Sequence, residues 1–366
     1  MTPARRLRRR ALLCLLPGLG DALTASSIVR RLRAADIDVD VMAMLPPVAE
    51  YARALTEIRE VHLLPMLTRP WACVSQLVGL RLRRYDLCIV PFPATRWQYA
   101  LVALVVGARK TVIHKYGGAA SMLSSAMRAV QVALLGGHRM SENNRIANAL
   151  ELPSDPGNGY LVPDEWRSPH RTKGLLGVHT GTMIYKGNEA RRWPFDRFVE
   201  VIRRQVREPG RRVRVFVGPN EADDERRLRG DLADVDVEIV KDSLESAALK
   251  LSECEVFVGN DAGLGHIASG LAVKTLVIFG MTDPVRALPV GSAVALRPSS
   301  CPPCHDEGMR SFSCVRSIGF RCLVEDITVK RVNDELNKLF AMDHVANATA
   351  DFSRFAMYGH EHRSDV

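Results

Sequence analysis

The stretch Asp261-Ala262-Gly263-Leu264-Gly265-His266 decides the fold, because it joins an apolar strand, Val256-Phe257-Val258, directly to the start of a helix. Backbone N–H groups in the first turn of a helix have no intrahelical partner and carry the positive end of the helix dipole. Gly263 and Gly265 let a ligand come close to these groups, so the junction suits a diphosphate. An ordinary strand-to-helix turn with a surface Asp and a packed His explains the same pattern, and both interpretations stay open.

Strands and helices alternate on both sides of this junction. In the second half, strands are predicted at 174–179, 213–217, 237–240 and 276–280, with helices at 196–206, 221–232, 244–251 and 329–340. The first half has predicted strands at 10–17, 39–44, 87–91 and 110–114, with helices at 21–34, 99–106 and 121–135. This alternation predicts an α/β protein with parallel, doubly wound sheets, in which ligands lie outside the carboxyl ends of the strands.

Length and composition set further limits. A chain of 366 residues with 47% hydrophobic and 25% charged residues is expected to form two globular domains of about 150 residues each. A segment rich in Pro and Gly, 152–173, is predicted to link domains 1–151 and 174–325, followed by a helix at 326–340 and a tail at 341–366. The sequence lacks an apolar run of about 18 residues and a secretory leader, so a cytoplasmic location is expected.

Two motifs in this order resemble a known family. The D-x-G-x-x-H stretch precedes a predicted strand that runs into Gly280-Met281-Thr282-Asp283-Pro284. This order resembles the signature of glycosyltransferase family 9, the lipopolysaccharide heptosyltransferases. The resemblance implies the GT-B architecture, two Rossmann-like domains with a cleft between them, the first for the acceptor and the second for the nucleotide sugar.

The resemblance places Asp261, Ala262, Gly263, Leu264 and His266 at the nucleotide sugar. Ala262 departs from the family pattern, which has Ser or Thr at this position. The missing hydroxyl removes one phosphate hydrogen bond, worth about 1 kcal/mol or somewhat more for a charged partner.

A second turn, Gly18-Leu19-Gly20-Asp21, follows the first predicted strand. Helix capping alone explains an Asp at such a position. The resemblance implies instead that Asp21 is the general base that deprotonates the acceptor hydroxyl, and that Gly18 and Gly20 leave space for the acceptor. A carboxylate at a helix N-terminus is ionised at neutral pH and is a weak base.

Further candidates come from the loops of the second domain. Thr180 and Thr182 follow its first strand, and Lys186 and Arg191 come next, so hydroxyls and cations adjoin as a diphosphate requires. Arg191 occupies the position of the family's Lys, with Lys186 as the alternative. Val217-Gly218-Pro219-Asn220-Glu221 resembles the family's G-G-P-x-E, which implies that Glu221 binds the ribose, whereas an exposed Glu at a helix start is the alternative. Ser243 is placed near the base, although the preceding Asp242 departs from the family pattern.

Four cysteines, Cys301, Cys304, Cys314 and Cys322, form a C-x2-C-x9-C-x7-C cluster. Reduced structural cysteines are the favoured interpretation, a structural metal site is the alternative, and a disulfide is disfavoured by the expected cytoplasmic location. No catalytic metal and no cofactor are predicted, because the nucleotide sugar is a substrate.

The resemblance therefore implies an inverting, metal-independent glycosyltransferase that moves a heptose or related sugar. The donor is expected to be an ADP-linked sugar, and the acceptor a lipid-linked glycan of the lipopolysaccharide type or another cell-surface glycan. The net charge of +9 includes Arg5, Arg6, Arg8, Arg9 and Arg10. This arm is either a solvated, disordered N-terminus, a contact to the anionic inner face of the cell membrane or a contact to nucleic acid. No pattern indicates nucleic-acid binding. A sugar-nucleotide epimerase, a non-catalytic protein of the same fold and a basic nucleic-acid binder remain as alternatives.

Overall fold

The computed structural model describes residues 8–64, 66, 71–155, 157, 159–182, 191–304, 314 and 316–342. The chain divides into two compact units, Met1–Pro163 and Asp164–Val366. The division falls inside the segment 152–173 that the sequence predicts as a linker.

The first unit is a parallel sheet covered by helices. Its described strands have the order β3-β2-β1-β4-β5-β6. In chain order the elements are β1 (Arg10–Leu15), α1 (Leu19–Thr24), α2 (Ser26–Ala34), β2 (Asp38–Ala43), α3 (Pro46–Ala54), β3 (Ile58–Leu63), α4 (Ala72–Leu82), β4 (Leu87–Val90), α5 (Trp97–Val106), β5 (Lys110–His114), α6 (Gly118–Ala126), β6 (Val130–Val132) and α7 (Arg139–Ala149).

The second unit repeats this arrangement. Its described strands have the order β12-β11-β10-β7-β8-β9, so strand order reverses between β10 and β7. A short 3-10 turn, Asp164–Trp166, precedes the elements β7 (Thr172–His179), α8 (Phe195–Arg207), β8 (Arg212–Phe216), α9 (Ala222–Asp231), β9 (Glu238–Val240), α10 (Leu244–Ser252), β10 (Cys254–Asn260), α11 (Gly263–Gly270), β11 (Lys274–Ile278), α12 (Pro284–Ala287), β12 (Ala293–Leu296), α13 (Arg321–Glu325) and α14 (Val329–Ala341).

Both sheets are parallel throughout their described pairings, which confirms the predicted α/β class with two Rossmann-like units. Ala11 to Leu15 in β1 and Val256 to Asn260 in β10 are buried, as expected for central strands covered on both faces. The α14 helix is capped by the Thr328 hydroxyl, which accepts the N–H of Arg331 at 3.2 Å, and it packs on α8 and β10.

Two predicted helices are wrong in detail. The helix expected at 21–34 is broken at Ala25, where the Ser26 hydroxyl donates to the carbonyl of Leu23 at 2.6 Å and accepts the N–H of Leu161 at 2.9 Å. A hydroxyl that bonds the backbone in this way competes with the helix. The helix expected at 121–135 ends at Ala126, because Arg128 adopts a left-handed conformation with φ of 51° and the chain turns into β6.

Candidate functional site

The loops at the carboxyl edge of the second sheet carry most of the predicted site residues. Thr180 follows β7, Gly218 follows β8 and Asp261 follows β10. β7 and β10 are neighbours, with His179 opposite Gly259, at the point where strand order reverses. Ligands of doubly wound sheets bind at this reversal, so the structure brings these loops together where the sequence predicts the site.

Asn260 holds the loops in place, and sequence analysis did not identify it. Its side-chain amide donates to the carbonyl of Thr180 at 2.8 Å and accepts the N–H of Trp193 at 2.8 Å. The Trp193 ring is buried, stacks edge-to-face on Phe198 and donates its Nε1 hydrogen to Ile327 at 2.9 Å. One buried amide thus fixes the loop after β7 relative to the start of α8. Its only sequence signal is an Asn directly before the D-x-G-x-x-H motif.

Asp261 and Arg191 form an ion pair at the start of α11. The Arg191 guanidinium donates to the Asp261 carboxylate and, at 3.3 Å, to the carbonyl of the same residue. Asp261 is buried, so the cation stabilises a carboxylate that would otherwise lie unpaired in a low-dielectric site. A second guanidinium lies nearby, since Arg192 contacts the carbonyl of Thr180 and the carboxylate of Asp224. Arg191 therefore lies beside the predicted diphosphate seat, already engaged with Asp261.

Glu221 is a buried, ordered carboxylate. Its Oε2 accepts the N–H of Gly218 at 2.6 Å and pairs with Nε2 of His179 at 3.1 Å. Its Oε1 lies against Gly181, where an added Cβ would be only 1.6 Å away. Burial raises the pKa of Glu221, but the attraction and hydrogen bond of His179 and the Gly218 N–H outweigh it, so the pKa lies below its ordinary value. Glu221 is thus an ionised hydrogen-bond acceptor, suited to hydroxyl groups of a ligand.

Several of the remaining candidates are buried around this edge. Thr180, Thr182 and His266 are each less than a tenth exposed. Within the described residues, the buried hydroxyls of Thr182 and Thr282 have no hydrogen-bond partner. Buried polar groups are usually paired, so these hydroxyls are available to a ligand. Thr282 is a residue of the G-x-T-D-P motif that sequence analysis quoted without assigning it to the site.

The start of α11 has no side-chain cap. Ala262 is the N-cap residue and carries no hydroxyl, and the helix begins at Gly263 followed by Leu264. The N–H groups of Gly263 and Leu264 can therefore donate hydrogen bonds to an external anion. Asp283 caps α12 by accepting the N–H of Val285 at 3.0 Å.

One predicted residue, Ser243, stands apart from this cluster. Ser243 is exposed after β9, the outer strand, and its hydroxyl caps α10 by accepting the N–H of Ser246 at 3.3 Å. Lys186 lies outside the described residues.

In the first unit, Asp21 occupies the first turn of α1, directly after β1. Its Oδ2 accepts the N–H of Gly18, the N-cap residue, at 3.1 Å, and its Oδ1 accepts a hydrogen bond from Nη1 of Arg139 at 3.0 Å. The carboxylate therefore caps the helix, as the structural interpretation predicted, and is also ion-paired. Gly20 lies within α1. Arg139, the first residue of α7, was not identified from the sequence, because it lies 118 positions away.

The cysteines of the second unit lie together. One small cavity beside Gly280 is lined by Cys301, Cys304, Cys314 and Cys322, and in the described part of the chain no cysteine forms a disulfide. Burial and the neighbouring Cys301 raise the pKa of Cys322 to about 11, whereas hydrogen bonds from backbone N–H groups such as that of Phe320 lower the pKa of Cys314. The lowered pKa raises the thiolate fraction of Cys314 above that of an ordinary cysteine, and the thiolate is the form that would bind a metal.

Another group in the described residues has potential metal ligands, Asp40, Glu60 and His62, within 4.8 Å. Asp40 already accepts hydrogen bonds from Arg59 at 2.8 Å and from Tyr85 at 2.7 Å. Its pKa is lowered, because these partners outweigh the effect of burial. The group is therefore an internal ion-pair network.

The basic arm is partly engaged with the first unit. Arg8 lies 3.2 Å from a carboxylate oxygen of Asp36, and Arg10 lies 3.3 Å from one of Asp40. Arg5 and Arg6 lie outside the described residues. Across the described part of the chain, every helix is too short or too polar to cross a membrane.

Comparison with known proteins adds the family. Residues 77–310 match the model of glycosyltransferase family 9 (heptosyltransferase), well over half of the chain. No curated protein sequence matches.

Solved structures share the fold. The ADP-heptose lipopolysaccharide heptosyltransferase II of E. coli aligns with a TM-score of 0.66 and 20% identity, over 91% of this chain and 98% of that one. E. coli heptosyltransferase WaaC, solved with ADP, aligns with a TM-score of 0.69 and 17% identity, over 90% of this chain and 99% of that one. A family 9 glycosyl transferase from Veillonella parvula aligns with a TM-score of 0.69 and 17% identity, over 92% of this chain and 99% of that one. At these identities the likeness establishes the fold, the predicted GT-B type.

Proposed function

The chain belongs to glycosyltransferase family 9 and is a glycosyltransferase, and on this premise we propose that it transfers a heptose or related sugar from an ADP-linked donor. The acceptor in this proposal is a lipopolysaccharide-type or other cell-surface glycan. One observation supports the proposed binding of a nucleotide-sugar donor. The described loops at the carboxyl edge of the second sheet carry a cation, a buried carboxylate, buried hydroxyls that lack a partner among the described residues, and an uncapped helix start. The ADP bound to E. coli heptosyltransferase WaaC supports the choice of nucleotide.

The donor diphosphate would lie on the start of α11. Its negative charge, which grows as the glycosidic bond breaks, would be stabilised by the Gly263 and Leu264 N–H groups, the Thr180 and Thr182 hydroxyls and the Arg191 guanidinium. Arg191 would then exchange part of its contact with Asp261 for phosphate oxygens. His266, in the second turn of α11, would contact the phosphate or the donor sugar.

Glu221 would accept hydrogen bonds from the ribose hydroxyls. Its lowered pKa keeps it ionised at neutral pH, and an ionised carboxylate forms the stronger hydrogen bonds to hydroxyl donors. Because His179 and Gly218 hold Oε2, the second oxygen is the one that can serve the ligand.

Asp21 would act as the general base in a single displacement with inversion. The acceptor oxygen forms a bond to the anomeric carbon as the bond to the diphosphate breaks, and the acceptor proton passes to Asp21. Asp21 is ion-paired with Arg139, and proton transfer to it is expected late in the reaction, as the glycosidic bond breaks. The family match begins at residue 77, so this role rests on the Gly18–Asp21 turn and its geometry.

The positive charge needed by the leaving group comes from the chain itself, so we propose that turnover requires no divalent cation. A lipid-linked acceptor would place the protein at the inner face of the cell membrane. Neither a cofactor nor nucleic acid takes part in this proposal.

The test is acceptor-dependent release of ADP. Purified protein with ADP-heptose should release ADP when a truncated lipopolysaccharide acceptor is added, and release should persist in EDTA. A sugar-nucleotide epimerase would convert the donor without acceptor, and a non-catalytic protein would bind ADP without turnover. Either result, or dependence on added magnesium or manganese, would contradict the corresponding part of the proposal.

A further inference from the structure

The positive charge of the chain is concentrated in one stretch of the first unit. Between Leu64 and Met140 the sequence holds ten Lys and Arg residues and one acid, Asp86, so this stretch carries the whole formal net charge of +9. The rest of the chain holds equal numbers of cations and acids. The stretch includes α4, α5 and α6.

These three helices form one layer on the same face of the first sheet. They connect β3 to β4, β4 to β5 and β5 to β6. In the strand order β3-β2-β1-β4-β5-β6, all three connections run in the same direction across the sheet. Right-handed crossovers in a common direction place their helices on a common face. In agreement, α4 packs against α5 and α5 packs against α6.

The outer surface of this layer exposes several large apolar side chains. Trp71, Val74, Val78 and Leu82 are spaced by three, four and four residues, so they line one side of α4, where Trp71 is 87% and Leu82 76% exposed. The opposite side of α4 is also apolar, with Cys73 and Leu80 buried in the core. We define the apolar face by its exposed large residues, which are Trp71, Val74, Val78, Leu82, Trp97, Leu101 and Met122. A set of this size on adjoining helices is typical of an interaction surface.

Cations border this apolar face. Arg84 follows α4, Arg96 precedes Trp97 at the start of α5, and Arg109 follows α5, and all three are exposed. The single acid of the stretch, Asp86, lies 3.3 Å from Arg109 and also accepts the N–H of Arg10. Tryptophan and aliphatic side chains bordered by arginine form the composition of helices that lie in a membrane interface.

We propose that the apolar face docks on an anionic lipid bilayer, with its tryptophan and aliphatic side chains among the headgroups and its arginines on the lipid phosphates. Charge complementarity selects this occupant, because an excess of cations with one acid repels a second copy of the same surface. Trp71 and Trp97 stand at the N-terminal ends of α4 and α5, which lie at the carboxyl edge of the sheet, as does Asp21 after β1. If the acceptor is lipid-linked, as the proposed function has it, docking here presents the acceptor to that edge.

The test is sedimentation with vesicles that contain neither donor nor acceptor. Wild-type protein should bind phosphatidylglycerol-containing vesicles and not pure phosphatidylcholine vesicles, with binding that weakens as salt rises. The combined variant Trp71→Gln, Val78→Gln, Leu82→Gln should bind at least tenfold more weakly. Arg84→Gln and Arg96→Gln should each weaken binding about fivefold, from about 1 kcal/mol per cation near the surface.

Matched controls lie in the second unit. Leu249, Val285 and Val294 are exposed apolar residues outside the apolar face, and Arg226 is an exposed cation on α9. Their substitution by Gln should leave vesicle binding unchanged. All variants should keep turnover on a soluble acceptor, which depends on the proposed function and not on docking. Loss of turnover in the wild type would therefore refute the proposed function alone.

Four results would overturn the docking surface. The first two are wild-type protein that does not bind anionic vesicles and apolar-face variants that bind them as well as the wild type does. The third is vesicle binding that is lost only when Met1–Arg9 is deleted. The fourth is a wild-type protein that is dimeric in analytical ultracentrifugation while the apolar-face variant is monomeric.

Discussion

Gly181 lies against the carboxylate of Glu221, and Gly181→Ala tests whether that contact organises the nucleotide site. The added Cβ would lie 1.6 Å from Oε1 and 2.2 Å from Cδ of Glu221, far inside van der Waals contact. The carboxylate must move, and any such movement strains its hydrogen bonds to Gly218 at 2.6 Å and His179 at 3.1 Å. Hydrogen bonds to charged groups contribute about 1.5–3 kcal/mol each, so we expect a loss of about 3 kcal/mol in unfolding free energy.

The measurement is a double-mutant cycle with Glu221→Ala, followed by thermal unfolding and calorimetric binding of ADP. For a unit of this size 3 kcal/mol corresponds to roughly 6–12 °C in the unfolding midpoint. Gly181→Ala should also weaken ADP binding, and it should be nearly neutral for stability in the Glu221→Ala background, where the clash is gone. Gly230→Ala is the control, because an added Cβ there meets nothing within 4 Å. Equal losses from Gly181→Ala in both backgrounds would refute the contact as the cause.

Three further variants test the remaining roles. Asp21→Asn should keep donor binding while turnover falls at least ~10²-fold, the usual cost of losing a general base; near wild-type turnover would leave Asp21 as a helix cap and ion-pair partner of Arg139. Arg191→Ala and His266→Ala should weaken donor use in steady-state kinetics, whereas Arg227→Gln, an exposed cation paired with Asp196, should not; equal effects of all three would remove Arg191 and His266 from the donor site. The difference in unfolding free energy between wild type and Glu221→Gln should be constant at neutral pH and shrink below about pH 4. The reason is that a carboxylate whose folded pKa lies below its unfolded value loses its stabilising effect as pH falls through the folded pKa. A difference that grows on acidification would contradict the lowered pKa of Glu221.

The architecture could be predicted from the sequence because its signals are local. A buried strand, a glycine turn and a helix start follow one another at residues 256–266, and the same alternation recurs along both halves. Local signals fail where distant residues decide the outcome. The break at Ala25 depends on Leu161, which bonds the Ser26 hydroxyl, and β6 depends on pairing with β5, since alone its residues continue a helical pattern.

The candidate site divides in the same way. Glu221, Asp261 and Thr180 could be placed from motifs, because each follows a strand that ends at the same edge. The partners that set their chemistry could not. Asn260 bonds residues 80 and 67 positions away, and Arg139 reaches Asp21 across 118. Such contacts arise only from the folded sheet order and leave no spacing in the sequence.

Because Ala262 has no hydroxyl, the start of α11 is expected to be less ordered in the free protein than in the protein with donor bound. In the free protein, the hydroxyl of a Ser or Thr at this N-cap could accept one N–H of the first turn of α11 and stabilise the helix by about 1 kcal/mol, before a phosphate takes over that hydroxyl. With Ala at this position, the N–H groups of Gly263 and Leu264 gain hydrogen-bond acceptors when the phosphate of the substrate binds. Donor binding should then slow amide hydrogen exchange at Gly263 and Leu264, and Ala262→Ser should make the empty helix more rigid while reducing the change in exchange on binding. Stability and affinity compete here for the same few hydrogen-bond donors.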